Sequence, residues 1–158
     1  MLAVNGMQSP PSPHPLGPDA PKQDYVGLAL AAMMFAIAAG TAIIAVITWG
    51  VRTLQAQAPP TDPPTLGLPG TLLLAGTLGG LLLSGASVWV ALSPVRSPYR
   101  QGGLAMATMF ATFLVAVVGT FVADTLAGRP GLLGLALVAL AGAWAAARAV
   151  GRQRDALR

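Results

Sequence analysis

Charge is what this chain has least of. Only 9% of its 158 residues are Asp, Glu, Lys or Arg, against about 25% in a soluble domain. Glutamate is absent, and Lys22 is the only lysine; the remaining basic residues are eight arginines. A soluble chain with so little polar surface would not stay dispersed, so lipid is the natural solvent for most of this one. Cysteine is absent too. That excludes disulfides, thiolate metal sites and cysteine nucleophiles, and leaves the redox compartment unmarked. The single histidine, His14, has no second ligand near it, and no apolar stretch carries a histidine that could hold a haem. Nucleophile-elbow, P-loop, His-Glu-x-x-His and dinucleotide-binding fingerprints are all missing. With so few acid–base actors the chain is expected not to be an enzyme and to need no cofactor or metal.

What is present in quantity is hydrophobic residue, 54% of the chain. Four uncharged stretches stand out: Tyr25 to Val51, Pro63 to Val95, Gln101 to Ala123 and Pro130 to Ala147. Crossing the hydrocarbon core takes roughly 20 apolar residues in a helix. A strand there would leave backbone groups unpaired. The spacing predicts an all-α integral membrane bundle of four transmembrane helices arranged as two antiparallel hairpins, with spans at about 26–49, 69–92, 103–124 and 131–150. The fourth stretch is short, and it suffices if the Arg148 head snorkels to the interface. Residues 1–24, crowded with prolines, read as a disordered cytoplasmic tail. It lacks the basic start and apolar run of a signal peptide, and a start at Met7 would shorten it by only six residues. Residues 151–158 read as a basic cytoplasmic tail. The Gly128-Arg129-Pro130 turn, with Gly to end one helix and Pro to begin the next, makes the last two spans antiparallel neighbours.

Basic residues set the orientation. With the N-terminus inside, Lys22, Arg96, Arg100, Arg148, Arg152, Arg154 and Arg158 share the cytoplasmic side and only Arg52 and Arg129 lie opposite. Both termini are therefore expected in the cytoplasm of a cell in which this is an inner or plasma membrane, and the Ala, Gly, Arg and Pro bias suggests a bacterium. Tyr25, Trp49, Trp89 and Tyr99 fall at span ends, where amphipathic rings settle. A faint repeat pairs Gly27-Leu28-Ala29 and Met34-Phe35-Ala36 with Gly103-Leu104-Ala105 and Met109-Phe110-Ala111. Chance resemblance between Ala-rich helices explains it as well.

Three groups of residues are candidates for function. Gly76, Gly80 and Ser84 recur every four residues on one face of the second span. Such a face lets helix backbones approach closely, either within the bundle, which is favoured, or against another subunit. Ser84 and Ser87 read as interhelical hydrogen-bond donors. Asp124 is the only acidic residue touching a span, on the stripe of Thr112, Ala116 and Thr120. A carboxylate at such a position is a candidate coupling site. An anchoring role, paired with Arg129 across the turn, is favoured. Arg96, Arg100, Arg148, Arg152 and Arg154 could hold anionic lipid headgroups. The expected partners are the lipid bilayer and other membrane subunits or further copies of the chain, without nucleic acid. Function reads as a non-catalytic accessory or assembly subunit of a larger membrane complex, with a small oligomeric transporter or channel as the alternative.

Overall fold

A computed structural model describes residues 22–57, 68–93 and 98–156, which are helical apart from a turn at Leu92 and Ser93. The three helices are α1 (Lys22–Gln57), α2 (Leu68–Ala91) and α3 (Pro98–Ala156). All three are long and apolar enough to cross a membrane, as in a multi-pass membrane protein. The proline-crowded tail expected before α1 falls almost wholly outside the described residues, as do residues 58–67.

The elements differ from the expected spans in two ways. First, α1 outruns its apolar stretch at both ends. Lys22, Gln23 and Asp24 already belong to it, and it continues past Arg52 to Gln57. Helix formation needs only compatible backbone and side chains, whereas hydropathy marks just the part that can sit in hydrocarbon. Leu54, Gln55, Ala56 and Gln57 are good helix formers, and the prolines at 59 and 60 come later. Second, the residues expected as the third and fourth spans follow one another without a loop, as one helical element of 59 residues interrupted by a kink. Its interior holds one non-helical residue, Gly128, at φ 59° and ψ −140°.

At Gly128 the chain folds back. Leu135 packs against Gly119, within 3.4 Å of where a Cβ there would stand, although a straight helix would separate the two by about 24 Å. A Cβ on Gly131 would collide with the carbonyl oxygen of Ala123. The positive φ suits glycine alone at 128, and the close crossing of backbones excludes any side chain at 131. Farther along, Gln101 donates to the Leu92 carbonyl at 2.9 Å and Arg154 to that of Val90 at 3.2 Å. Both ends of α3 thus meet the C-terminal end of α2. Gln153 reaches Gly27 near the start of α1. One end of the molecule therefore gathers the first residues of α1, the last of α2 and both extremities of α3.

The interior is made mostly of small side chains, with Leu28, Val88, Leu92 and Leu132 the large ones buried among them. On α1 the inward stripe is Leu28, Ala32, Ala36, Gly40 and Ile44; on the first arm of α3, residues 98–127, it is Ala105, Thr108, Thr112 and Ala116. On the second arm, residues 129–156, it is Leu132, Ala136, Ala139, Ala143 and Ala146. Each stripe repeats at three or four residues, as helix faces must. The large side chains point out: Leu126 is 81% exposed, Val138 72% and Phe121 69%. Small inside and large outside is the wrong order for water and the right one for lipid. In lipid, association rests on close backbone approach and dispersion, not on hiding apolar surface.

Candidate functional site

Two sets of polar side chains stand out among the described residues. Most of the buried threonine and serine hydroxyls are turned back on their own helices. Thr112 donates to the Thr108 carbonyl at 2.8 Å, and Thr108 to that of Leu104 at 2.7 Å. Ser84 donates to Leu81 and Ser87 to Ser84, so neither serine is the interhelical donor its position suggested. A hydroxyl in an apolar helix finds the free lone pair of a carbonyl one turn back nearer than any neighbouring helix. Thr41 differs: its hydroxyl is buried and has no partner among the described residues.

The second set meets at the end of the molecule away from the helix extremities just described. Three helices each contribute residues one turn apart: Thr48 and Arg52 from α1, Leu73 and Thr77 from α2, Thr120 and Asp124 from α3. Together they line an open cleft of about 290 Å³. The spacing of four residues carries each pair onto one helix face. Arg52 donates to the Asp124 carboxylate, closing an ion pair across 72 residues of sequence. The aspartate side chain is 24% exposed and the arginine 52%, so the carboxylate is the more enclosed partner. The hydroxyls of Thr48, Thr77 and Thr120 donate to the carbonyls of Ile44, Leu73 and Ala116 at 2.8, 2.7 and 2.6 Å. Their protons are spent, and their oxygens remain as acceptors. Arg52 retains N–H groups beyond the one used. The cleft therefore offers one cationic donor, one carboxylate and three hydroxyl acceptors, a set suited to holding a small polar group and not to nucleophilic attack.

Other candidate residues lie elsewhere. Asp124 pairs with Arg52 of α1, whereas Arg129 is exposed and forms no ion pair among the described residues. Arg129 stands beyond the chain reversal at Gly128, while α1 runs alongside Asp124. Gly76, Gly80 and Ser84 face α1. A Cβ on Gly76 would strike Ile47, and one on Gly80 would stand 3.1 Å from Ile44 and 3.4 Å from the Gly40 carbonyl. In turn, a Cβ on Gly40 would lie 2.5 Å from Thr112 Cγ2 and 3.4 Å from Ser84 Cβ. The small-residue face of α2 is thus occupied by this chain's own helices. The guanidinium of Arg148 lies 3.6 Å over the Trp144 ring, Arg152 is exposed, and Arg154 caps α2. The side chains of Arg96 and Arg100 lie outside the described residues, as does His14. Among the described residues no three His, Cys, Asp or Glu side chains converge on a common point.

In the sequence Arg52 reads only as an orienting charge, and Thr48 and Thr77 are not grouped with Asp124. A signal for them existed: Thr48 and Arg52 share a face by spacing, and Arg52 stood on the same side as Asp124 in the expected topology. No protein-family model matches the chain, and neither a curated protein nor a solved structure is significantly similar to it.

Proposed function

We propose that the chain crosses the bilayer four times and serves as a non-catalytic accessory or assembly subunit of a larger membrane complex. Four crossings follow if each arm of α3 spans the membrane separately, with Gly128 as the turn. Both arms exceed the roughly 20 residues a crossing needs. The excess of basic residues at the end bearing Lys22, Arg148, Arg152 and Arg154 then favours cytoplasmic termini in an inner or plasma membrane.

One observation carries the subunit reading. At mid-length, Gly40, Gly80, Ser84 and Thr112 bring α1, α2 and α3 into backbone-level contact. A solute path along the axis would have to part them. What the molecule presents outward is a broad surface of Leu, Val and Phe, suited to lipid or to the helices of other membrane subunits, further copies included. The test is the native mass of the protein extracted from its own membrane in mild detergent, with every co-purifying chain identified. A larger chain in fixed stoichiometry is expected, and its activity would name the pathway. A homo-oligomer alone would turn the reading toward a transporter or channel. That second reading has its own support in the Arg52–Asp124 cleft, and solute flux with Asp124→Asn would then be the next measurement.

A further inference from the structure

A second cleft lies at the opposite end from the Arg52–Asp124 pair, and it is of another chemical kind. It is a groove of about 420 Å³ between α1, α2 and the second arm of α3, open toward the surrounding apolar surface. Ala32 and Phe35 form one wall, Leu83, Ala86 and Val90 another, and Ala147 and Val150 a third. Its volume lies within the roughly 300–1,000 Å³ of small-molecule sites. Along α2 it runs from Leu83 to Ala91, about 12 Å at the helical rise. The walls are almost wholly apolar, and a single charged group, Arg154, stands at one end.

Arg154 is held there by the end of α2. Its Nη2 donates to the carbonyl of Val90 at 3.2 Å, which also accepts from the Ser93 N–H at 3.3 Å, and to that of Ala91 at 3.5 Å, in the last turn of the helix. Those bonds occupy one nitrogen, and the other guanidinium N–H groups remain. Neighbouring Asp155 forms no ion pair among the described residues. The spacing of Ala147, Val150 and Arg154 places them on one helix face, while Arg148 and Arg152 share the adjacent one. An elongated apolar trough with an anchored cation at one end has the complementary shape and charge of one ligand class.

We propose that this groove binds one anionic phospholipid, an acyl chain lying between the three helices and the phosphate on Arg154. The site stands whether the protein is a subunit or a carrier, because it requires only that the helices sit in a bilayer. A guanidinium suits it, since its planar fork donates two parallel hydrogen bonds to phosphate oxygens.

The test is native mass spectrometry of the full chain in detergent micelles supplied with phosphatidylglycerol or phosphatidylcholine of identical acyl chains. One phosphatidylglycerol per chain is expected, preferred over phosphatidylcholine by at least about fivefold, the effect of one basic residue at an anionic surface. Arg154→Gln should remove the preference, and Arg152→Gln, outside the groove, should leave it. Ala86→Phe should lower retention of both lipids by filling the trough, and soluble glycerol phosphate should not displace the lipid. Because Arg154 also caps α2, Arg154→Lys is made alongside and should keep most of the preference. Equal retention of the two lipids by the native chain would overturn the proposal. So would an Arg152→Gln effect as large as that of Arg154→Gln, which would mean a diffuse cationic surface. Unchanged retention in Ala86→Phe, displacement by glycerol phosphate, or loss in Arg154→Lys as complete as in Arg154→Gln would sink it equally.

Discussion

Asp124 and Arg52 show how little a single charge can do alone at the edge of an apolar slab. An isolated carboxylate there would have to stay hydrated, and an isolated guanidinium would bend toward water. Joined, they satisfy each other and fasten α1 to α3. The arginine is half exposed, so the pair is worth far less than a buried one. A double-mutant cycle with Arg52→Gln and Asp124→Asn, read by reversible unfolding in bicelles, should give a coupling of about 1 kcal/mol, the upper end for accessible pairs. The coupling should shrink with added salt. Additive single effects would mean that the two side chains stabilise the fold independently. That Asp124 and Thr120 share a face could be read from the spacing of four residues. That Arg52 completes the group could not, because spacing within one helix says nothing of the depth at which a second helix lies beside it.

At the scale of the helices, glycine and threonine decide how near the backbones come. Gly40 is a tight point between α1 and two neighbouring helices, bounded by Thr112 and the Gly80 carbonyl. Gly40→Leu would force α1 away from both, and overpacking of this kind costs about 1–3 kcal/mol or more. Gly79, one residue from the buried face, has no neighbour within 4 Å of a Cβ. Gly79→Leu is therefore expected to leave the thermal unfolding midpoint in detergent nearly unchanged while Gly40→Leu lowers it sharply. Equal losses would mean that the face bearing Gly79 is itself covered. The helix α2 was legible in the sequence almost to the residue, because Pro69 opens it and its apolar run ends where it does. The length of α1 was not, since its last turns are polar and hydropathy is blind to them. The joining of two expected spans into α3 was also illegible. Gly-Arg-Pro announces a reversal, but not that a single residue would accomplish it.

The whole molecule is polarised along its axis. One end holds the Arg52–Asp124 cleft and the reversal at Gly128, and the other holds Arg148, Arg152 and Arg154 with the lipid groove. Such asymmetry of basic residues orients helical membrane proteins during insertion. A reporter fused after Arg158 should therefore give the signal of a cytoplasmic C-terminus. Activity of a periplasmic reporter at that point would reverse the orientation and put Asp124 on the inner side. Composition was enough to select lipid over water as the solvent, because a chain so poor in charge has no other. Which small residues face inward was legible only in outline, since in an Ala- and Gly-rich helix every face offers small side chains and the choice is made by the neighbouring helix.

The ion pair also imposes an order on biosynthesis. Its two members are 72 residues apart, so at about 5–20 residues per second the arginine waits roughly 4–14 s for its counterpart to be made. During that interval α1 and all of α2 have left the ribosome with an unmatched cation between them. Arrival of Asp124 closes a ring of chain that encloses α2, which makes this contact a late clasp that reports completion of the chain through Asp124.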